Sequence, residues 1–345
     1  MTDTTGTGPV AEAAREAGAA ADGFGALAPA ERRELLAACA AALEAATDEI
    51  VSLAAAESGL AADALRGEMA RTTGQLRLLG AHVAAGRHLP ERVSAGVAAG
   101  GADVRAVRVA VGPVAVFAAS NLPLAFGVAG GDTAAALAAG CPVVVKAHPA
   151  QPETARAVAR ALGGVLPDGV FSLVEGGTDV SLALVGAPEI RAVGFTGSLT
   201  GGRALMDAAA ARPEPIPVYA EMGSLNPVFV LPEAAGDEEW ATALAGSATR
   251  AMGQLCTKPG LVVLPETPEG EKLAEALARA VAAAPAHRML TPPMARAHEA
   301  WGERARALPD AVVTASADAA GPFAVRVPAA RLGGELLDEH FGPAV

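Results

Sequence analysis

The strongest constraint on the fold is a regular alternation of short apolar runs and helical segments between Gly112 and Ala211. Each run has four or five residues and is rich in valine and phenylalanine; the runs are 114–117, 143–146, 171–174 and 191–195. Runs this short with apolar residues on both faces are typical of parallel strands covered by helices. Right-handed crossovers between them predict an α/β fold with a doubly wound, Rossmann-type parallel sheet.

The same patterns divide the chain into three parts. Residues 1–93 and 112–222 are predicted to form the Rossmann-type domain, to which residues 1–93 contribute helices. Residues 94–111 form a separate strand segment, and residues 223–345 a second α/β domain. In and near the second domain we expect strands at 218–220, 228–231 and 260–264 and a helix at 240–252, and the last helix of the first domain is expected at 203–211.

Charge and cysteine content exclude several classes of function. The 26 basic and 38 acidic residues give a net charge of −12, which argues against nucleic acid or an anionic membrane as the main partner. Three scattered cysteines without a CxxC pair predict neither a disulfide framework nor a zinc site, so no metal is expected. Residues 1–12 lack a signal-peptide pattern, and no run of 18 apolar residues occurs. A cytoplasmic location is therefore expected.

Three residues are candidates for catalysis. Cys256 lies on a loop between a helix and a strand, where a thiol can be an exposed nucleophile or simply a small buried group. Glu221 follows a strand and could be a general base, although position alone favours an ordinary solvated carboxylate. Asn121 follows a buried strand and could donate to an oxyanion, or could only form the turn before Leu122-Pro123.

Two features suggest nucleotide binding. Lys146 ends an apolar strand and is one of three lysines in the chain, which suits a ribose or phosphate, although strand-end lysines are common. Residues 195–202 read as a strand, a glycine turn and a helix start, which could hold a pyrophosphate on the helix N-terminus. This segment lacks the GxGxxG motif, so by itself it is weak evidence for nucleotide binding.

Together, in this order along the chain, these motifs resemble the aldehyde dehydrogenase superfamily, over nearly the whole length from Ala11 to Val345. Three longer segments are similar to the 2,5-dioxovalerate (α-ketoglutaric semialdehyde) dehydrogenases, and NADP-using fatty aldehyde dehydrogenases share part of that pattern. The motifs are Ser120-Asn121-Leu122-Pro123, Lys146, Phe195-Thr196-Gly197-Ser198 with Gly202, Glu221-Met222-Gly223, Gly253-Gln254-Leu255-Cys256 and Glu339-His340-Phe341-Gly342-Pro343. The longer segments are 119–126 with 130–133, 145–149 and 212–222.

The resemblance implies a chemistry and its residues. Cys256 would attack the aldehyde, Asn121 would hold the oxyanion with the Cys256 N–H, and Glu221 would activate water for deacylation. The cofactor would be NADP or NAD, with Lys146 at the adenosine ribose. The other implied cofactor-binding residues are Gly177, Phe195, Gly197, Ser198, Gly202, Met222, Glu339 and Phe341.

Two positions depart from the family pattern. Lys258 stands where relatives commonly carry asparagine, and its charge is expected to lower the pKa of the thiol or to favour an acidic substrate. Pro149 stands where many NAD-preferring relatives place a glutamate that binds the ribose 2′-hydroxyl. Without that carboxylate, a 2′-phosphate is not repelled, so NADP is permitted.

The end of the chain is a further departure. Family members continue past Phe341-Gly342-Pro343, so the resemblance predicts a truncated catalytic domain at 223–345. The valine-rich stretch 104–109 would be an oligomerisation strand whose partner strand lies beyond Val345. We expect the chain alone to aggregate and to form no stable homo-oligomer of the family type. Static light scattering tests this, and a monodisperse, fully active dimer or tetramer would contradict it.

Three other functions remain open on sequence alone. A fatty or other aliphatic aldehyde could be the substrate, with NADP. A CoA-acylating relative would transfer the acyl group to CoA, but Glu221 argues against it because such an enzyme needs no deacylating base. A truncated, non-catalytic paralogue is the third, favoured by the short chain and opposed by the intact set Cys256, Glu221 and Asn121.

Overall fold

The computed structural model describes residues 7–87, 92–318 and 320–345. It divides into two units, Met1–Glu221 and Met222–Val345. Residues 1–6 and 88–91 of the predicted first domain, and residue 319 of the second, lie outside the described residues. The predicted α/β class with a parallel sheet is confirmed.

The described part of the first unit begins with four helices, of which the second, third and fourth pack on one another. Pro29 starts the second helix, and Leu36, Cys39 and Leu43 on its inner face are fully buried, as their helical spacing predicts. The helices are α1 (Thr7–Gly25), α2 (Pro29–Ala45), α3 (Thr47–Ser58) and α4 (Ala62–Ala84).

A five-stranded parallel sheet is the centre of this unit. Its strands are β3 (Val114–Phe117), β4 (Val143–Lys146), β5 (Phe171–Val174), β6 (Ala192–Thr196) and β7 (Val218–Glu221). They are all parallel and pair in the order β5-β4-β3-β6-β7. The chain adds β4 and β5 on one side of β3 and then β6 and β7 on the other side, so the order of strands along the chain reverses between β3 and β6. In open sheets of this kind, ligands bind at the carboxyl ends of the strands beside that reversal.

Helices cover both faces of the sheet. Val143 and Val145 belong to one core cluster and Val144 to the other, because neighbouring strand side chains point to opposite faces. The covering helices that join the strands are α5 (Gly131–Ala138), α6 (Pro152–Gly163), α7 (Thr178–Gly186) and α8 (Leu199–Ala210). The expected start of α8 at Arg203 was wrong by four residues, because Ser198 caps the helix.

The predicted strand at 104–109 is shorter than expected. An antiparallel hairpin joins β1 (Arg92–Ser94) to β2 (Val104–Ala106), and the described pairing ends where Ala106 faces Arg92. Val107 and Val109 have no strand assignment and are 75% and 84% exposed. The prediction was therefore wrong for residues 107–109, because no described strand pairs with them.

The described residues of the second unit form two small sheets and three α-helices. Here β8 (Val228–Phe229) pairs parallel with β9 (Val262–Val263), and β10 (Val312–Ala315) pairs antiparallel with β11 (Phe323–Arg326). Both predicted strands in this unit, 228–231 and 260–264, are shorter in the structure. The helices are α9 (Glu239–Thr249), α10 (Pro268–Ala282) and α11 (Pro292–Arg306).

Helix α9 ends three residues before the predicted end at Met252. Ala251, Met252 and Gly253 have φ angles of 50°, 56° and 61°, so the backbone turns left-handed there. A right-handed helix cannot continue through such a segment. None of the helices in the described ranges is long and apolar enough to cross a membrane.

Candidate functional site

Several predicted cofactor and catalytic residues of the first unit lie together at the carboxyl edge of its sheet. Phe117 of β3 is in register with Lys146 of β4 and with Phe195 of β6, and Thr196 of β6 is in register with Glu221 of β7. Because parallel strands share one carboxyl edge, these residues and the loops after them lie along the same edge of the sheet.

The loop that carries Asn121 is folded tightly against the end of β3. The Ala119 N–H donates to the Phe126 carbonyl at 2.9 Å, and the Phe126 N–H donates to the Leu122 carbonyl at 2.9 Å. The carbonyl of buried Ser120 accepts from the Gln151 amide at 2.6 Å. These bonds fix the backbone on both sides of Asn121, which an oxyanion donor requires.

A close backbone approach at Gly127 makes this loop sensitive to substitution. A Cβ atom at Gly127 would lie 1.7 Å from the carbonyl oxygen of Pro123. We expect Gly127→Ala to lower the free energy of unfolding by about 1–3 kcal/mol or more, because the backbone must move. Urea unfolding measures this. Gly163→Ala is the matched control, since nothing lies within 4 Å of its Cβ; an equal loss there would contradict the explanation.

Lys146 is buried at the end of β4. It is 8% exposed, and burial lowers the pKa of its ammonium group, while the charge of Asp179 acts in the opposite direction. Asp179 lies in the first turn of α7, two residues after the N-cap residue Gly177. The predicted residues Lys146 and Gly177 therefore belong to one neighbourhood at the ends of β4 and β5.

Histidine 148, two residues further on, stays neutral at pH 7. Burial, and secondly the charge of Lys146, lower the pKa of His148 to about 4. Its Nδ1 accepts from the Ala150 N–H at 3.1 Å.

The glycine turn after β6 is shaped by an aromatic ring. A Cβ at Gly197 would lie 2.7 Å from the Phe195 ring, so Phe195 packs beneath the turn. The Ser198 hydroxyl accepts from the Gly201 N–H at 3.2 Å, and buried Gly202 lies inside the helix, one residue before the helix start that was predicted at Arg203. The N-terminus of α8 therefore lies at the carboxyl edge of the sheet, next to the point where the strand order reverses. A helix N-terminus at this position is suited to binding an anion.

Glu221 is the last residue of β7, and its side chain is exposed. Its backbone carbonyl accepts from the Gly197 N–H at 3.0 Å, which ties the end of β7 to the glycine turn. An exposed carboxylate held at a strand end can accept a proton from water.

In the second unit, the carbonyl of Cys256 is held by two side chains. The Ser224 hydroxyl donates to it, and the Asn226 amide donates to it at 2.6 Å and to the Lys258 carbonyl at 2.9 Å. The thiol-bearing residue itself is half-buried, whereas Cys39 and Cys141 are buried, as their positions predict. The loop that carries the candidate nucleophile is thus fixed by side chains from 30 residues earlier.

Sequence reasoning missed Ser224 and Asn226. Asn226 has a φ of 46°, a conformation that asparagine tolerates better than most residues. Its place before Pro227, two residues after Ser224, was a visible turn signal, but nothing in the sequence linked it to Cys256.

The backbone before Cys256 is strained and in close contact with the end of the chain. Left-handed φ angles of non-glycine residues, as at Ala251 and Met252, cost about 1–3 kcal/mol each. A Cβ at Gly253 would lie 2.2 Å from the Gly342 carbonyl oxygen, so only glycine fits there. The segment between α9 and Cys256 is therefore specified by its packing.

Lys258 does not have the environment that we expected. It is 5% exposed, and its Nζ donates to the Ala344 carbonyl at 2.7 Å. Burial lowers its pKa to about 8, opposed by the charge of Glu339. The amine is bound within the protein, which leaves the expected role in recognising an acidic substrate without structural support.

Glu339 lies against the backbone of Gly223 and Ser224. The Ser224 N–H donates to its carboxylate, burial raises its pKa, and a Cβ at Gly223 would lie 2.6 Å from its Oε2. The predicted residues Met222 and Phe341 are half-buried in the same unit. The part of the chain that the structure describes contains no group of three or more metal-binding side chains.

A family model provides the decisive comparison. The model of the aldehyde dehydrogenase family matches residues 3–296. The chain belongs to the aldehyde dehydrogenase family. The resemblance stated from the sequence motifs is therefore confirmed.

Individual aldehyde dehydrogenases agree with this. The chain is 48% identical over 286 residues to alpha-ketoglutaric semialdehyde dehydrogenase 2 of Azospirillum brasilense, covering 77% of this chain and 54% of the relative. It is 43% identical over 258 residues to alpha-ketoglutaric semialdehyde dehydrogenase of Acinetobacter baylyi, covering 72% and 49%. The chain thus spans about half the length of these relatives.

Among solved aldehyde dehydrogenase structures, an NAD-dependent benzaldehyde dehydrogenase from Corynebacterium glutamicum superposes with a TM-score of 0.85 at 25% identity, covering 99% of this chain and 75% of that one.

Proposed function

We propose that this chain carries the cofactor-binding and nucleophile parts of an NAD(P)-dependent aldehyde dehydrogenase that oxidises α-ketoglutaric semialdehyde to 2-oxoglutarate. The choice of this substrate is supported by the name that two relatives share, at 48% and 43% identity. In this proposal residues 1–93 and 112–222 bind the cofactor, 94–111 serve in oligomerisation and 223–345 carry the thiol. The cytoplasmic location also remains a prediction.

NAD(P) fits the residues at the carboxyl edge. The N-terminus of α8 offers backbone N–H groups to a pyrophosphate, and the hydroxyl oxygen of Thr196 is buried without a hydrogen-bond partner within the described residues. Lys146 would hold the adenosine ribose and Ser198 the pyrophosphate, and Glu339 would hold the nicotinamide ribose. Supporting the cofactor by packing or close backbone approach would be Gly177, Phe195, Gly197, Gly202, Met222 and Phe341.

In the first half of the reaction, the thiol of Cys256 is the nucleophile. The Cys256 thiolate forms a bond to the aldehyde carbon, and the carbonyl electron pair moves to oxygen. The Asn121 amide and the Cys256 N–H stabilise that oxyanion. The cofactor, when bound, supplies the hydride acceptor. Loss of the aldehyde hydrogen as hydride leaves a thioester on Cys256.

In the second half of the reaction, Glu221 is the general base. Its carboxylate removes a proton from water as the water oxygen attacks the thioester carbonyl. The carbon–sulfur bond then breaks, and the electron pair returns to sulfur, which releases the carboxylic acid and restores the thiolate.

The test measures reduced cofactor formed by the purified 345-residue chain, and by a version extended to the length of its relatives. Each is assayed with α-ketoglutaric semialdehyde or a long-chain aliphatic aldehyde, and with NAD or NADP. We expect oxidation of the semialdehyde, with NADP accepted because Pro149 replaces the repelling carboxylate. A preference for the aliphatic aldehyde would contradict α-ketoglutaric semialdehyde as the substrate. Formation of acyl-CoA with added CoA would favour the CoA-acylating reaction, and no turnover by either version would favour the non-catalytic paralogue.

A further inference from the structure

Asp132, which no role assigned above uses, lies on the face of the sheet that carries the Glu221 side chain. It is in the first turn of α5, and its side chain packs on β6 at Gly194. A Cβ built on Gly194 would lie 3.2 Å from the Asp132 Cγ and 3.3 Å from its Oδ2. The missing side chain at Gly194 therefore makes the space in which the carboxyl group sits.

The strand register brings Glu221 to the same face. Gly194 is in register with Tyr219, and Thr196 is in register with Glu221. Side chains two residues apart on a strand point to the same face, so Thr196 and Glu221 share the face that Asp132 covers. The buried hydroxyl of Thr196 has no hydrogen-bond partner in the described ranges. Two carboxyl groups and an unsatisfied hydroxyl thus occupy one end of this face.

Electrostatics couples the two carboxyl groups. Burial raises the pKa of Asp132, and the charge of Glu221 raises it further. Among the described residues, Glu221 is the only charged group with such an effect on Asp132. Another acid, Glu68 of α4, accepts hydrogen bonds from the N–H groups of Leu124 and Ala125, in the loop after β3.

We propose that Asp132 is a positioning residue of the deacylation step, whose negative charge promotes proton transfer from water to Glu221. The inference rests on the proposed function. Two neighbouring carboxylates repel each other, and the repulsion is relieved when one of them takes up a proton. As the water oxygen bonds to the thioester carbon, its proton passes to Glu221, and the thiolate leaves with the electron pair of the carbon–sulfur bond. Asp132 itself exchanges no atoms with the substrate.

The first test is independent of catalysis. In the protein labelled with ¹³C at aspartate carboxyl groups, the Asp132 resonance, assigned by its loss in Asp132→Asn, is titrated with pH. We expect Glu221→Gln to lower the pKa of Asp132, because one cause that raises it is gone. Glu214→Gln, an exposed glutamate that pairs with Arg191, is the matched control and should leave it unchanged. An identical Asp132 titration in Glu221→Gln and wild type overturns the proposal.

The second test separates the two half-reactions. In Asp132→Asn we expect a burst of about one reduced cofactor per active site, followed by turnover that is about tenfold slower than in wild type. Asp132→Glu should restore part of the turnover, since the charge returns. Loss of burst and turnover together, with a lowered unfolding midpoint, would show a merely structural role and overturn the proposal. A wild-type chain that forms no reduced cofactor from the aldehyde would count against the proposed function, while the titration still decides whether the carboxyl pair exists.

Discussion

Aldehyde oxidation is expected to fall by a factor of about a thousand or more in Cys256→Ser, while NAD(P) binding stays largely intact. A serine hydroxyl is a far weaker nucleophile than a thiolate at neutral pH, so the carbon–sulfur bond on which both half-reactions depend is never formed. Most residues proposed to bind the nucleotide belong to Met1–Glu221, whereas Cys256 belongs to Met222–Val345. Steady-state assays of reduced cofactor measure the first effect, and fluorescence titration with NAD(P)H measures the second.

Cys141→Ala is the matched control for this substitution. Cys141 is a second thiol of the chain, buried at 2% exposure beside the start of β4. Its loss should lower stability modestly through a small cavity and leave turnover of the folded protein unchanged. Retained oxidation in Cys256→Ser would contradict covalent catalysis by this thiol, and equal losses in both variants would point to a general effect on folding.

The largest effect on the second half-reaction is expected for Glu221→Gln. Acyl-enzyme should still form, because hydride transfer needs no proton from Glu221, but water is not activated for its hydrolysis. A burst of about one reduced cofactor per active site should therefore be followed by turnover that is about a hundredfold slower or more. Rapid mixing with the aldehyde separates the burst from the steady state.

Glu214→Gln makes the same chemical change at an exposed site. Glu214 pairs with Arg191 at 2.9 Å, and its side chain is 78% exposed, so this ion pair contributes little. Burst and turnover should both resemble wild type. If Glu221→Gln instead lost burst and steady state in equal measure, Glu221 would act in the first half-reaction.

Much of the first unit could be predicted from the sequence. The four valine-rich and phenylalanine-rich runs from 114 to 195 became four neighbouring parallel strands of the central sheet, because their short length and β-branched and aromatic residues favour strands covered on both faces. The carboxyl ends of those strands then placed Asn121, Lys146 and the 195–198 turn at one edge. Local pattern and global fold agree there, so periodicity was sufficient.

Element ends were less well predicted where a single polar or glycine residue decides them. The helix was predicted to start at Arg203, but the Ser198 hydroxyl accepts from the Gly201 N–H, and the helix begins directly after Ser198. The valines at 107–109 have strand propensity, but propensity produces no strand without a partner to complete the hydrogen-bond ladder.

The sequence by itself determined the α/β class, the order of the strands along the chain and the identity of the groups that can react, since these depend on local apolar periodicity and on residue type. Only the tertiary structure decided what surrounds those groups. Asn226 holds the Cys256 carbonyl, Lys258 turns its amine to Ala344, and the carboxyl of Asp132 fills the space above Gly194. Each of these contacts joins residues far apart in sequence, and neither propensity nor spacing encodes which distant backbone carbonyl or side chain will be within reach once the core has packed.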